Sequence, residues 1–114
     1  MKNNELIEFS CPVTYTISIV GGKWKWIILY MIYRQGIIRY GELKKRLPSI
    51  AHKTLSQQLD ELEESAIIHR EQYNQMPPRV EYSLTEKGKS LIPILIQMAQ
   101  WGEQNMRSQV ETIV

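Results

Sequence analysis

The chain has 114 residues, enough for one domain and too few for two ordinary ones. Its composition, 43% hydrophobic and 23% charged, is that of an ordinary globular protein, which excludes a disordered chain as the first interpretation. The single cysteine, Cys11, excludes an internal disulfide framework and agrees with a reducing cytoplasm, whereas a net charge of +2 is too small to identify a partner.

Neither a membrane segment nor an export signal is predicted. The longest apolar run, residues 27–32, is far shorter than the ~20 residues that cross a bilayer. The N-terminal residues lack the apolar stretch of a signal peptide. We therefore expect a cytoplasmic, nucleoid-associated protein without a membrane partner.

The N-terminal third of the chain predicts an arm and two helices. Residues 1–10 are polar and unpatterned, as expected of a loose arm. Pro12 can open a helix, because proline is tolerated at the first helical position, and this helix should end near the glycine pair at 21–22. Residues 24–35 predict a second helix, closed by Gly36.

The second helix is apolar almost all round, which predicts burial from two sides. Trp24 lies on one face, and Trp26 and Tyr30 lie on the opposite one. Since indole rings at helical spacing usually pack, we interpret both tryptophans as core rather than as platforms for nucleic-acid bases. Lys23, near the helix start, opposes the helix dipole, and this mild penalty is a weak sign that it meets an anion.

Two short helices with a tight turn between them follow a connector at residues 37–39. Residues 40–47 predict a two-turn helix, Pro48 and Ser49 turn the chain, and residues 52–65 predict a longer helix. The leucines of these two helices recur at helical spacing and are predicted to face the core: Leu43, Leu47, Leu55, Leu59 and Leu62.

Beyond residue 66 the apolar period changes from helical to two, which is typical of strands. Residues 67–74 and 79–84 alternate, and the composition of residues 75–78 predicts a turn, so residues 67–84 are expected to form a β-hairpin. Thr85 is a suitable N-cap for a final helix over 86–108, in which Pro93 should produce a kink.

This order of elements predicts an α+β fold, mainly α, namely a winged helix-turn-helix with additional N- and C-terminal helices. So short a chain cannot cover both faces of the helix at 24–35 unless flanking helices or a second subunit help, and the final helix carries an apolar stripe that a small domain does not need. We therefore expect the additional helices to form a homodimer interface. Its expected residues are Trp26, Tyr30, Leu91, Leu95, Met98 and Trp101.

Charge divides sharply along the helix at 52–65. Residues 39–58 hold five basic residues against one acid, whereas residues 59–66 hold four acids and no base. The basic end is suited to a polyanion, and the acidic end must point away from it. In helix-turn-helix proteins the N-terminal residues of the second helix enter the major groove, so this helix is the predicted recognition helix.

The outward face of this helix carries residue types that bind DNA. With Leu55 inward, Lys53 and Gln57 point outward; glutamine can pair with adenine, and lysine with guanine or phosphate. A solvated face, or a winged helix that only docks a protein partner, would explain these residues too, but the hairpin downstream favours DNA. The predicted DNA contacts are Lys53, Thr54, Ser56, Gln57, Arg79, Lys23, Lys44 and Arg39.

Arg79 follows two prolines at the predicted hairpin tip. A stiff prolyl turn would present this arginine outward, where it suits a minor groove or a phosphate. An exposed arginine is more often simply solvated, but a tip position beside a recognition helix favours a role in DNA binding.

The sequence shows no catalytic or metal-binding pattern. His52, His69 and Cys11 lack the spacing of a metal site, and neither a glycine-rich phosphate loop nor a serine–histidine–acid signature occurs. The acids at 60–64 share one helix exterior. We therefore expect no enzyme activity, no metal and no cofactor.

Cys11 has two interpretations. If Pro12 begins a helix, the thiol lies at the positive end of the helix dipole, which lowers its pKa and raises its reactivity. Alternatively, Cys11 is a half-buried small residue that only packs, as lone cysteines usually do.

Segments along most of the chain match one known family: CPV at 11–13, GGKW at 21–24, YGELKKRLPSI at 40–50, LSQQLDELEE at 55–64, PPRVEYSLTEKG at 77–88 and WG at 101–102. The chain resembles the HxlR-type transcriptional regulators, a branch of the MarR-like winged-helix proteins of bacteria, and residues 11–114 are assigned to this domain. The resemblance implies a repressor or activator that binds inverted-repeat operators as a homodimer, with residues 52–65 in the major groove and Arg79 on the wing.

The resemblance also implies a sensor, because several members respond to electrophiles or oxidants through a cysteine at the position of Cys11. An oxidant or small-molecule effector is therefore expected.

The chain departs from the family at two positions: Ala51 replaces a serine that caps the recognition helix, and Ala66 replaces a frequent glycine at its end. Loss of the cap should cost about 1 kcal/mol unless His52 or Ser49 compensates for it. Alanine would be strained in a left-handed cap, so the end of this helix is expected to be rebuilt.

Overall fold

The computed structural model describes the backbone of residues 10–113 and the side chains of residues 10–106, so the predicted arm lies outside the described residues except for Ser10. The elements, in chain order, are α1 (Pro12–Val20), α2 (Lys25–Gln35), β1 (Ile37–Arg39), α3 (Tyr40–Arg46), α4 (His52–Glu64), β2 (Ile68–Tyr73), β3 (Arg79–Leu84), α5 (Glu86–Lys89) and α6 (Ile92–Ile113). The helices α3 and α4, followed by the β2–β3 hairpin, confirm the predicted winged helix-turn-helix. In this part of the chain, none of the helices combines the length and the apolar character of a bilayer-spanning segment.

The sheet has three antiparallel strands in the order β1-β3-β2. The segment predicted as a connector forms β1, in which Ile38 pairs with Tyr82 and is 3% exposed. The prediction was wrong because alternation cannot be recognised in three residues, and the strand exists through its pairing with β3.

The core lies between α4, the sheet and the inner face of α2. All five leucines predicted to face inward on α3, α4 and the turn between them are buried, which confirms that prediction. Ile28, Leu29 and Ile32 of α2 are fully buried as well, and α2 packs against β3. Burial of a leucine or isoleucine side chain stabilises the fold by roughly 1.5–3 kcal/mol, so these stripes fix the rotation of each helix about its axis.

The two sides of α2 differ in burial. Trp24 and Trp26 are half-buried and pack against the core, which confirms their interpretation as packing residues. On the remaining surface of the helix, Ile27, Tyr30 and Tyr33 are exposed. The described residues of the chain therefore leave a strip of aromatic and aliphatic side chains on α2 uncovered.

The end of α4 keeps the left-handed turn that glycine usually occupies. Ala66 has a φ of 60°, and the N–H of Ile67 donates to the carbonyl oxygen of Leu62 at 3.0 Å, as in a Schellman motif. The Thr85 hydroxyl donates to the carbonyl oxygen of Ala66 at 2.7 Å. The expectation that this helix end is rebuilt was therefore wrong: Ala66 takes the left-handed conformation itself, and the contact from Thr85 helps to hold it there.

The C-terminal region contains two helices where the sequence predicted one over 86–108. Thr85 caps α5 as predicted, since its hydroxyl accepts from the N–H of Gly88 at 3.0 Å, but α5 ends at Lys89 and α6 begins at Ile92. The predicted kink at Pro93 was also wrong. Pro93 is the second residue of α6, where an N–H would have no partner within the helix, so its missing donor costs nothing.

We predict that Gly88→Ala destabilises the fold. A Cβ at Gly88 would lie against the backbone carbonyl of Ile67, which cannot move away as a flexible side chain could. Overpacking of this kind should lower the free energy of unfolding, measured in urea, by about 1–3 kcal/mol. The matched variant Gly41→Ala meets nothing within 4 Å and should raise that free energy by up to about 1 kcal/mol. Equal effects of the two variants would contradict the proposed contact.

Candidate nucleic-acid interface

The polar face of α4 is exposed opposite its buried stripe. Lys53, Ser56 and Gln57 are exposed, Thr54 is half-buried, and Leu55 between them is fully buried. Because residues three and four apart share a helix face, Lys53 and Gln57 lie on one strip, one turn apart. The structure therefore places four of the predicted contact residues together in the first two turns of α4.

The start of α4 has no side-chain cap. Ala51 occupies the N-cap position with extended backbone (φ −70°, ψ 149°) and, as expected from its side chain, supplies no acceptor for the first-turn N–H groups. A side chain from α3 lies here instead: the Tyr40 hydroxyl is 2.9 Å from Nδ1 of His52. Sequence reasoning missed this contact, because Tyr40 and His52 are twelve positions apart and no motif links them.

Arg79 does not project from the wing tip, contrary to the sequence-based expectation. It begins β3, opposite Tyr73, and its guanidinium lies 4.4 Å from the centre of the Tyr73 ring. Its Nε is 3.3 Å from the Glu81 carboxylate, and the side chain is 28% exposed. The cross-strand aromatic ring explains this placement, because it offers a face for a cation–π contact. The Nε of Arg79 nevertheless makes no hydrogen bond to any described residue.

Arg39 lies beside Arg79, near the end of the hairpin that carries the turn. Its Nε is 4.0 Å from the same Glu81 carboxylate, so one acid lies between the two predicted DNA-binding arginines. A cleft of about 400 Å³ separates the start of α3 from the wing, and its lining includes both arginines, Tyr40 and Pro78. The structure thus brings Arg39 and Arg79 together, which the sequence did not predict.

The two predicted lysines outside α4 make local contacts. The Lys23 amine lies 4.9 Å from the centre of the Trp24 ring, and the residue is exposed. The Lys44 amine donates to the carbonyl oxygen of Pro48 at 3.3 Å. Lys44 therefore stabilises the turn between α3 and α4, and its predicted contact with DNA remains a prediction.

Cys11 is exposed at the N-cap position of α1. Its side chain makes no capping hydrogen bond, but the N–H of Thr14, the Thr14 hydroxyl and the N–H of Val13 lower the pKa of the thiol. The interpretation of Cys11 as a half-buried packing residue does not fit its exposure within the described residues. Its position at a positive helix end favours the reactive thiolate form.

The described side chains assemble no metal site. Within residues 10–106, no group of three or more histidine, cysteine, aspartate or glutamate side chains is placed to hold an ion. His52 contacts Tyr40, and Nε2 of His69 lies 2.9 Å from the Glu71 carboxylate.

Residues 19–110 match the HxlR-like helix-turn-helix family. The chain belongs to this family. It is 50% identical over 95 residues to the HTH-type transcriptional regulator YybR of Bacillus subtilis, an alignment that covers 83% of this chain and 75% of YybR. As an HxlR-like protein it is a transcriptional regulator with a DNA-binding helix-turn-helix and a MarR-like fold.

Solved structures of two regulators are similar to this HxlR-like chain. The redox regulator HypR in its reduced form is 48% identical, with a TM-score of 0.82 and coverage of 90% of this chain and 99% of that chain. Its oxidised form is 50% identical, with a TM-score of 0.77 and coverage of 82% and 96%. The reduced form of the transcriptional regulator YodB from B. subtilis is 33% identical, with a TM-score of 0.71 and coverage of 82% and 92%.

Much apolar surface is left uncovered by the part of the HxlR-like chain that the structure describes. The predicted interface residues that are exposed are Tyr30, Met98 and Trp101, and those that are half-buried are Trp26 and Leu91. Leu95 is 6% exposed and packs in the core of the chain itself, so it has almost no surface left for a partner. An open apolar groove of about 970 Å³ also runs between α2, β1 and α6.

We predict that Ala51→Ser stabilises the fold. A serine hydroxyl at this extended N-cap can accept from a first-turn N–H of α4, which should raise the free energy of unfolding by about 1 kcal/mol. Ala51→Val adds bulk without an acceptor and serves as the control in the same urea titration. A gain of the same size in both variants would show that capping is not its cause.

Proposed function

We propose that two copies of this regulator bind an inverted-repeat operator, each with α4 in a major groove. The observation that carries this proposal is that α4 has one buried and one exposed face. Its leucine stripe is buried, whereas Lys53, Ser56 and Gln57 are exposed on the opposite face of its first two turns. Glutamine can bond adenine with two hydrogen bonds, and lysine can donate to guanine or phosphate. The acids Asp60, Glu63 and Glu64 are exposed further along the helix, where they must stay away from phosphates.

The wing supplies the contacts to the DNA backbone in this proposal. Arg39 and Arg79 lie on either side of Glu81, and the Nε of Arg79 has no hydrogen-bond partner among the described residues. A phosphate near the cleft would be attracted by both guanidinium groups. Such contacts hold the protein on the duplex without selecting a base sequence.

The support for the proposed dimer is the uncovered apolar surface. Tyr30 on α2 and Met98 and Trp101 on α6 are exposed, and Trp101 is 68% exposed. A second copy would remove these side chains from water, which is favourable by roughly 25 cal/mol per Å². A two-fold arrangement would set the two α4 helices about 34 Å apart, one turn of duplex, so that the dimer binds a palindrome.

Gln57→Ala and Arg79→Ala should weaken DNA binding in different ways. Gln57→Ala should cost about 1–3 kcal/mol on the duplex selected by the wild-type protein from a random pool, and little on random duplex. Arg79→Ala should weaken both duplexes and reduce the slope of log affinity against log salt by about 1. Titrations on both duplexes at several salt concentrations measure this difference. Equal losses for the two variants, or no preference of the wild type for any duplex, would contradict the proposed roles and favour a protein-docking domain.

A response to oxidants through Cys11 is a second, narrower proposal. Its support is an exposed thiol whose pKa is lowered, together with the similarity to HypR, a redox regulator solved in reduced and oxidised forms. The reaction would join the two Cys11 sulfurs of a dimer, or one of them and a small thiol, in a disulfide. The oxidant would take up the two electrons and two protons.

Diamide should therefore change operator affinity in the wild type and not in Cys11→Ser. The expected change is at least about tenfold, since coupling between an effector and a ligand typically spans 5–150-fold. Titration before and after diamide, followed by reduction with dithiothreitol, measures it. The same response in Cys11→Ser would end this proposal and leave the DNA-binding proposal intact.

A further inference from the structure

Tyr40, the first residue of α3, contacts two turns of α4. Its hydroxyl oxygen lies 2.9 Å from Nδ1 of His52 and 3.3 Å from the His52 carbonyl oxygen. The Ser56 hydroxyl donates to the same oxygen at 3.4 Å. The Tyr40 and His52 rings are stacked, with centroids 5.8 Å apart and planes 19° apart. One phenol thus holds the first turn of α4 through His52 and the next through Ser56.

These contacts lie where α4 lacks a cap of its own. Ala51 supplies no acceptor, so the first-turn N–H groups have no side-chain partner at the N-cap. Uncapped helix ends fray more easily than helix interiors. An attachment from another helix therefore affects the orientation of α4 more at this end than at its middle.

Tyr40 also links this end of α4 to the wing. Arg39 precedes it in the chain, pairs in register with Glu81 of β3, and places its Nε 4.0 Å from the Glu81 carboxylate. The sheet thus fixes the position of Tyr40, because Arg39 precedes it in β1. The contacts of the Tyr40 hydroxyl with His52 and Ser56 then connect α4 to the sheet.

We infer that Tyr40 is a positioning residue whose hydroxyl holds α4 at the angle at which Lys53 and Gln57 meet the bases. The inference rests on the proposed function, because it concerns how the same helix binds DNA. A hydroxyl has one proton and two acceptor sites. Here the hydroxyl lies against both Nδ1 and the carbonyl oxygen of His52 and accepts from the Ser56 hydroxyl, so its hydrogen bonds are made within the protein.

The test compares Tyr40→Phe with the wild type on the selected duplex and on random duplex. Loss of one or two net hydrogen bonds at the helix start should lower affinity for the selected duplex roughly 5- to 30-fold and change affinity for random duplex less than about twofold. As a control, Ser90→Ala removes a hydroxyl that donates to the carbonyl oxygen of Lys87, outside the proposed DNA and dimer contacts, and should change neither affinity.

A rescue variant separates positioning from direct contact. Ala51→Ser in the Tyr40→Phe background restores a cap at the start of α4 and should recover most of the lost affinity for the selected duplex. Hydrogen exchange should agree: in Tyr40→Phe, the amides at the start of α4 exchange faster while those of α6 keep their rate, and the double variant returns toward the wild type.

Several results would overturn the inference. Equal losses on both duplexes without rescue would show that Tyr40 contacts phosphate, and faster exchange throughout the chain would show a general loss of stability. Unchanged affinity for the selected duplex would remove any role in DNA binding. If the wild type itself prefers no duplex, the proposed function fails, and exchange at the start of α4 still decides whether the hydroxyl holds the helix.

Discussion

The burial of the leucine stripe on α4 is the constraint on which the rest of the structure depends. Leu55, Leu59 and Leu62 lie at the core with almost no exposed surface, and each would lose roughly 1.5–3 kcal/mol if it moved into water. Side chains on a helix are fixed about 100° apart, so burial of this stripe forces Lys53 and Gln57 to the outside. The proposed DNA-binding face of the regulator is thus set by hydrophobic packing, while its polar groups would determine what that face binds.

Most elements could be predicted because their signals are local and periodic. The leucines of the stripe on α4 repeat at helical spacing, and the side chains of the hairpin alternate in character along its two strand segments. Gly36, with a φ of 82°, is by itself a signal that a helix ends. The outward placement of Lys53 and Gln57 follows from the same periodicity. The sequence was therefore sufficient to predict the winged helix-turn-helix and to predict that Lys53 and Gln57 are exposed on α4.

Most of the features that sequence reasoning missed depend on contacts between distant residues. Strand β1 is recognisable only through its pairing with β3, and the position of Arg79 depends on Tyr73 across the hairpin. The contact between Tyr40 and His52 joins two helices without any sequence motif. Pro93 could be assigned to a first turn only once the break after Lys89 was known. Local patterns thus predict which face of a helix is exposed, whereas tertiary contacts decide how that face is oriented.

The central claim, that paired α4 helices occupy two successive major grooves, is tested most directly by methylation protection on the selected duplex. Dimethyl sulfate modifies guanine N7 in the major groove, so a helix lying there protects that atom. The account predicts two protected clusters whose centres are about one helical turn apart and related by two-fold symmetry. Protection confined to one cluster, or guanines that remain fully reactive while the protein is bound, would contradict it.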